Sequence, residues 1–379
     1  MSAVRIGILY STQGPYAALG RDCRDGAELA IEELKAEIPA AAIEPVFGDP
    51  AGEAGLYLDQ ARSMLRDQGC RHIVGTITSL SRKDVIPLIE KHDGLLWYMC
   101  PYEGFEANEN VIYTGACPNQ HLLPLFDHLL PRYGLRAYLA GANYVWGWEM
   151  NRLARELIMQ AGGEVLGERY LPFEETNVDR LIADIELRRP DFILNNLIGP
   201  ASYAFLAAMR ALADRDPHFE PSHCPVVSCD LTECELGEIA GGAAVGQLSA
   251  ASYFDSLETP HNLAFKRRVA ARLGESRLVS SFFAGAYTAT RLCVETILKA
   301  GNDDPALVRQ TLHAGPVDTV LGPLSIDPQT NHAALPFHLG RIKQEGGFDI
   351  LASRPAIAAD PYLVGGRTHR TSTHLRVVR

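Results

Sequence analysis

The central part of the chain alternates between short apolar runs and one amphipathic segment. His72–Gly75 and Leu95–Tyr98 are apolar runs of strand length, and Pro101 ends the second. Between them, Ser79–Lys91 has its apolar residues spaced for one buried face of a helix: Val85, Ile86, Leu88 and Ile89. This order of strand, helix and strand predicts a right-handed crossover that joins two parallel strands.

The same alternation continues on both sides of this unit and predicts the α/β class. Upstream, we predict strands at 5–10 and 43–47 and helices at 23–34 and 53–67. A second set follows Cys117, with predicted strands at 137–140, 165–170, 192–197 and 226–228, and helices at 148–160, 178–187 and 201–212. The two sets look like two copies of one architecture.

The pattern in the last third of the sequence predicts that the chain returns to the first set of elements. Two long helices are expected at 259–273 and 280–300, and the segment from Gly322 looks like two strands joined by a turn. Because 379 residues exceed one ordinary core, we predict two domains. We place the N-terminal lobe at 1–117 plus 252–330 and the C-terminal lobe at 118–251 plus 331–379.

Polar and aromatic side chains cluster where the predicted strands end. Parallel strands end on one edge of a sheet, which is where open α/β sheets bind ligands. Thr78, Ser79, Tyr98 and Cys100 are therefore expected to share one wall of a cleft. Thr78 or Ser79 is also placed to cap the following helix, and capping without any ligand explains that pair equally well.

Further residues at this kind of edge come from other loops. They are Tyr102, Tyr144, Trp146, Trp148, Asn195, Asn196 and Asp230. Together they fit a pocket that is apolar with a few polar groups. Taken singly, each aromatic residue is also explained by core packing, and each polar residue by a turn or a cap.

The composition excludes several classes of function. The formal charge is −11, which disfavours direct binding to nucleic acid or to anionic lipid, and the basic end of the chain, from Arg367, is expected to be a frayed tail. The chain contains no apolar run of 18 residues, so we expect no transmembrane helix. The chain leads directly into a strand and has eight scattered cysteines, so we expect a cytoplasmic protein, or a periplasmic one whose signal peptide is not included.

Signatures of catalysis and of cofactor binding are missing. The chain has no G-x-S-x-G, Walker A, G-x-G-x-x-G or H-E-x-x-H motif. His223, Cys224, Cys229 and Cys234 lie close together, but their spacing lacks the tight pairs of zinc sites, so core cysteines are the favoured interpretation. We expect no metal, no cofactor and no catalytic residue.

Longer motifs resemble the type I periplasmic binding proteins of the leucine/isoleucine/valine-binding group. They run in order through nearly the whole chain, as IGILYSTQGPYAALGRDCRDGAELAIEEL, VGTITSLSRK, PYEGFE, ACPNQ, GANYVWGWEMN and GPLSIDPQTNH. PYEGFE followed by ACPNQ is similar to the amide- and urea-binding branch, and within it to the cytoplasmic amide sensors that negatively regulate amidase expression (AmiC-type). The resemblance implies two Rossmann-like lobes joined by three crossovers, with hinges near 117–118, 251–252 and 328–335.

The resemblance also implies ligand-binding roles for particular residues. Ser79, Tyr98 and Tyr144 match pocket residues of the amide sensors, and Thr78, Tyr102 and Asn195 complete the set that we expect. Four further candidates depart from the amide-sensor pattern, namely Ile77, Cys100, Trp146 and Asp230. Asp230 favours a ligand that carries N–H donors, such as an amide, a urea or a small amine.

Three functions follow from these observations. The leading hypothesis is a non-catalytic cytoplasmic sensor whose lobes close on a small polar ligand and whose state is read by an RNA-binding antiterminator. The alternative is the substrate-binding protein of an ABC importer for amides, urea or amino-acid-like solutes, with the ABC permease as partner. An amidohydrolase with Cys100 or Ser79 as nucleophile is disfavoured because no histidine lies nearby; a homo-oligomer remains open.

Overall fold

The computed structural model describes residues 3–365, which form an α/β protein with ten α-helices and fourteen strands. The helices are α1 (Ala17–Glu37), α2 (Ala54–Arg66), α3 (Ser79–Lys91), α4 (Leu122–Tyr133), α5 (Val145–Gln160), α6 (Asp179–Arg188), α7 (Pro200–Ala213), α8 (Pro260–Leu273), α9 (Ser281–Ala300) and α10 (Pro305–Leu312). The strands are β1 (Val4–Leu9), β2 (Ile43–Gly48), β3 (His72–Gly75), β4 (Leu95–Tyr98), β5 (Val111–Tyr113), β6 (Arg136–Ala142), β7 (Glu164–Leu171), β8 (Phe192–Asn196), β9 (Val226–Ser228), β10 (Leu248–Ala251), β11 (Val317–Thr319), β12 (Gly322–Leu324), β13 (Leu335–Ile342) and β14 (Phe348–Ile357).

Two large sheets organise these elements. The first is fully parallel, in the order β2-β1-β3-β4-β5. The second has the order β14-β13-β10-β9-β8-β6-β7, and only its β13 and β14 run antiparallel to their neighbours. Strands β3 and β4 are buried at every residue, as expected when helices cover both faces of a parallel sheet.

The chain passes between the sheets three times. It leaves the first sheet after β5, returns after β10, and enters the second sheet again at β13. The hinges predicted near 117–118, 251–252 and 328–335 lie on these three passages. The predicted α/β class with two lobes is confirmed, whereas the exact lobe boundaries stay a prediction.

Several predicted elements differ from the observed ones. Helix α1 begins at Ala17 instead of residue 23, and α5 begins at Val145 instead of residue 148. The two strands expected from Gly322 are joined across their turn by a single antiparallel bridge, Ile326 to Ala333, while β12 itself pairs with β11 and β13 pairs with β10 and β14. The predicted tail from Arg367 lies outside the described residues.

A close contact between α1 and α9 joins the N-terminal helix to the returning segment. Gly26 of α1 lies so near the Phe283 carbonyl of α9 that an added Cβ would be 2.3 Å from that oxygen. The contact therefore requires glycine for space. Since α9 also packs against β1, β3 and β4, this contact fixes the returning segment on the first sheet.

A buried ion network fixes the loop that follows β4. The Arg82 guanidinium of α3 is fully buried, donates to Glu103 at 3.1 Å and to Glu106 at 2.8 Å, and lies 4.7 Å from the ring centroids of Tyr98 and Tyr102. Burial alone would raise the pKa of Glu106, but Arg82 and the nearby Lys83 lower it to about 2. The network therefore holds Glu106 ionised.

The same network reaches the third passage of the chain. Tyr113 donates to Glu106 at 2.8 Å, and its ring stacks on His332 with centroids 4.1 Å apart. The Tyr102 hydroxyl also hydrogen-bonds to His332. Residues of α3, of the 101–106 loop and of the 327–333 segment are thus tied to one buried cation.

We predict that Gly26→Ala lowers the free energy of unfolding by about 1–3 kcal/mol, because the methyl group overpacks the contact between α1 and α9. Gly55→Ala in α2 is the matched control, since nothing lies within 4 Å of its Cβ; it should raise stability by up to about 1 kcal/mol. Urea denaturation measures both values. Equal effects of the two substitutions would contradict the proposed packing.

We predict that Arg82→Met lowers the free energy of unfolding by about 3–5 kcal/mol, because it removes the buried cation from Glu103 and Glu106 and leaves them only the partly exposed Lys83. Arg5→Met removes an exposed pair with Glu44 and should leave the free energy of unfolding nearly unchanged. Glu106 stabilises the wild type above its unfolded pKa, and this contribution disappears as the pH falls from about 4.5 toward 2. The difference between wild type and Arg82→Met should shrink over the same interval, and a constant difference would contradict the assignment.

Candidate functional site

A small cavity lies between the two sheets, at the carboxyl ends of their parallel strands. Its volume is about 20 Å³, and about 10–15 Å³ holds one water molecule. The lining residues come from both lobes: Tyr16, Leu19, Ile77, Thr78, Ser79, Cys100, Pro101, Tyr144, Trp146, Ile198, Asp230 and Phe282. Such an edge is the usual ligand site of α/β sheets.

Local structure brings these residues to the edge. Ile77 and Thr78 follow β3, and Thr78 is the N-cap of α3, where its side chain accepts from the Ser81 N–H. Cys100 follows β4, and Asp230 follows β9 two residues after that strand ends. The sequence-based expectation that Thr78 or Ser79 caps α3 is thus met by Thr78.

Most of the predicted site residues meet in this cavity. Seven of the ten line it: Ile77, Thr78, Ser79, Cys100, Tyr144, Trp146 and Asp230. Their ligand-binding roles stay predictions. Trp146 differs from its predicted place in a strand-end loop, because α5 begins one residue before it.

The other three predicted residues do not line the cavity. The Tyr98 hydroxyl donates to the Ile77 carbonyl at 3.0 Å, and the Tyr102 hydroxyl pairs with His332. The Asn195 amide donates to Ser202 at 2.9 Å, and its carbonyl oxygen accepts from the Leu197 N–H at 3.1 Å. Tyr98 thus supports the loop that carries Ile77, while Asn195 makes a local turn.

The buried ion network of Arg82, Glu103 and Glu106 orients the Ser79 hydroxyl. This hydroxyl donates to Glu103, which is 2% exposed, and its oxygen accepts from Arg82 at 3.2 Å. The hydroxyl proton is therefore already used, and only a lone pair of the oxygen is left for a ligand. Neither Glu103 nor Arg82 is among our predicted site residues.

Asp230 faces Ser79's lobe from the other side of the cavity. The Ser228 hydroxyl donates to its carboxylate, and the Ser228 oxygen accepts from the Asp230 N–H at 3.2 Å. Burial raises the pKa of Asp230 to about 7, and the bond from Ser228 only partly opposes that shift. No Lys, Arg or His is among the residues that line the cavity.

The lobes touch beside the cavity. A Cβ added to Gly199 would lie 1.9 Å from the Pro15 carbonyl oxygen, and Gly199 has φ of 60°, which favours glycine. The Tyr16 and Phe173 rings meet edge to face with centroids 6.3 Å apart, and Phe173 also contacts Tyr144. These contacts close the cleft at the loops that follow β1 and β8.

Sequence analysis missed five of the lining residues. They are Tyr16, Leu19, Pro101, Ile198 and Phe282. The position of Ile198, directly after β8, could have been found from the strand-end rule that identified Asp230. Phe282 could not, because it enters from the start of α9, more than fifty residues along the chain from the nearest other lining residue.

Neither a histidine in the cavity lining nor a group of metal-binding side chains is present among the described residues. The lining contains no histidine that could activate Cys100, whose thiol instead contacts the Thr76 carbonyl at 3.5 Å. Within residues 3–365, no group of three His, Cys, Asp or Glu residues could hold a metal ion, and the eight cysteines are unpaired. No helix in this range is long and apolar enough to cross a membrane.

Comparisons with known proteins agree with this architecture. The family model described as "Periplasmic binding protein domain" matches residues 4–368. The chain is 20% identical to the Leu/Ile/Val-binding protein homolog 6 of Brucella abortus (strain 2308), over 89% of this chain and 87% of that one. It is 22% identical to the Leu/Ile/Val-binding protein of Escherichia coli (strain K12), with 86% of each chain covered.

A solved structure shows the same fold. A solute-binding protein of an ABC transporter from Rhodopseudomonas palustris HaA2, in complex with p-hydroxybenzoic acid, superposes with a TM-score of 0.85. It is 19% identical and covers 96% of this chain and 100% of its own. The family match spans the two sheets and the cavity between them, and on this basis the chain belongs to the periplasmic binding protein family.

Proposed function

We propose that this chain is the substrate-binding protein of an ABC importer and that it holds a small polar organic ligand between its lobes. The observation that carries this proposal is the cavity at the carboxyl ends of both sheets, lined from both lobes. A ligand there contacts Ser79 and Asp230 together and favours the closed arrangement. The lobes would hinge near 117–118, 251–252 and 328–335, and an ABC permease would bind the closed form.

The size of the cavity supports a ligand of only a few non-hydrogen atoms. A volume of about 20 Å³ holds about one water molecule, so any ligand requires the lobes or the lining side chains to move, and a short amide or urea requires less movement than a benzoate. A ligand of four such atoms gains at best about −1.5 kcal/mol per atom, or roughly −6 kcal/mol, which corresponds to tens of micromolar. We therefore propose a nitrogen-containing ligand of the amide, urea or small amine class.

The cysteines support a second candidate, the cytoplasmic amide sensor. All eight cysteines are unpaired thiols, and seven of them are buried, as is typical of a reducing compartment. In this second candidate, closure of the two lobes on the ligand controls an RNA-binding antiterminator instead of a permease. Fractionation of the native host separates the candidates, because only the importer's binding protein is expected in the periplasm.

Thermal denaturation with a panel of acetamide, urea, acetamidine, methylamine, leucine and benzoate tests the proposed function. At least one probe should raise the melting temperature, because a ligand that binds only the folded state stabilises it by mass action. Ser79→Ala should abolish that rise. Ser222→Ala, at an exposed position, is the matched control and should keep it.

Two results would overturn the proposal. No rise with any probe would contradict ligand binding in this cleft, and an equal rise in Ser79→Ala would place the bound probe elsewhere. Release of acetate and ammonia from acetamide, lost in Cys100→Ala, would instead favour the amidohydrolase.

A further inference from the structure

The charges around the cleft are balanced on one side and unbalanced on the other. Beneath Ser79, the cations Arg82 and Lys83 are paired with Glu103 and Glu106. Across the cavity, the Asp230 carboxylate has the Ser228 hydroxyl as a hydrogen-bond donor but no cation among the lining residues. A ligand therefore meets one uncompensated carboxylate.

Like the Asp230 carboxylate, the Ser79 hydroxyl favours a ligand that donates a hydrogen bond. Since it donates to Glu103 and accepts from Arg82, it can only accept a further hydrogen bond from a ligand. When Asp230 is ionised, two facing groups, one from each lobe, thus accept hydrogen bonds from N–H donors. A carboxylate ligand offers none and would also be repelled by Asp230.

Aromatic rings surround the remaining walls of the cavity. They belong to Tyr16, Tyr144, Trp146 and Phe282. Ring faces attract organic cations, most strongly where water is excluded. The indole N–H of Trp146 is buried and has no hydrogen-bond partner among the described residues.

We propose that the preferred ligand is a small planar organic cation, an amidinium or a guanidinium, with Asp230 as its counter-ion and Ser79 as a second acceptor. This inference rests on the proposed ligand-binding function and narrows its ligand from neutral amides to their cationic isosteres. Acetamidinium and guanidinium each have four non-hydrogen atoms, as acetamide and urea do. The two cations therefore match acetamide and urea in size and differ from them in charge.

Proton release accompanies this mode of binding. The groups that act electrostatically with Asp230 are Tyr144 at the start of α5, Cys229 beside it and Glu235 in the following turn, and none of them is a cation. Burial holds the pKa of Asp230 near 7, so a bound cation must displace a proton below that pH. Affinity for acetamidine should consequently fall as the pH drops from about 8 to 6. A neutral amide that pairs with protonated Asp230 would show the opposite trend.

Calorimetric titration with the isosteric series acetamidine, acetamide and acetate tests the proposal. In the wild type, acetamidine should bind about 10-fold to 100-fold more tightly than acetamide, as expected for charge-assisted hydrogen bonds, and acetate should not bind. Asp230→Asn should remove most of this preference and its pH dependence. Guanidinium chloride and urea, both kept below denaturing concentrations, form a second isosteric pair with the same expectation.

Glu235→Gln is the matched control, because it makes the same acid-to-amide change in a nearby buried residue that does not line the cavity. Glutamine can also keep the capping box with Thr232, so this variant should retain the preference for acetamidine. Circular dichroism establishes that both variants are folded. If Asp230→Asn does not fold, the pH dependence in the wild type still decides between a cation and a neutral amide.

Tighter binding of acetamide or acetate than of acetamidine would overturn the inference while leaving the proposed function intact. So would an equal preference for acetamidine in folded Asp230→Asn. If no member of the series binds but leucine or benzoate does, the cation is again excluded and the binding function stands. Failure of every probe would remove the proposed function itself.

Discussion

The buried guanidinium of Arg82 is the interaction on which the ligand edge of the first lobe depends. It ties α3 to the loop after β4 through Glu103 and Glu106, and the same loop reaches His332 through Tyr102. Paired charges of this kind are costly to bury and very costly to leave half-paired, so the network keeps one geometry. Its consequence for the site is that the proton of Ser79 points away from the cleft.

The two lobes contribute different kinds of constraint to the cavity. The first lobe supplies a fixed hydrogen-bond acceptor at Ser79, and the second supplies the carboxylate of Asp230 without a cation. At the contact between Pro15 and Gly199, these two edges lie so close together that position 199 has no room for a side chain. Under the proposed function, ligand selectivity comes from the unsatisfied acceptors and from the small volume, because the walls themselves are mainly apolar and aromatic.

The sequence pattern predicts the first lobe's site well because the relevant residues follow strands that are apolar throughout. Thr78, Ser79 and Cys100 meet as expected from the order of strand, helix and strand, whereas Tyr98, expected beside them, does not line the cavity. The roles of Tyr98 and Tyr102 were harder to predict, because whether an aromatic side chain faces the cleft or the core depends on Arg82 packing against its ring. Charged residues on a helix usually face solvent, and nothing in the local pattern marks Arg82 as buried.

Elements with weak local signals were also missed. Strand β5 has three residues, and α4 carries a proline near its end, so neither shows a clear period. The pairing of β13 with β10 joins residues about ninety positions apart, which no local pattern specifies. The comparisons establish the periplasmic binding protein family but do not show the narrower expectation of a cytoplasmic amide sensor, and one structural neighbour is a solute-binding protein of an ABC transporter.

A crystal structure of the chain grown with acetamidine tests most directly the claim that both lobes hold one ligand. The predicted result is a planar ligand between the sheets, with one nitrogen within hydrogen-bond distance of the Asp230 carboxylate and another near the Ser79 oxygen. Pro15 and Gly199 should remain in contact beside it. A ligand held by only one lobe, or a cleft closed around no ligand at saturating acetamidine, would contradict the claim.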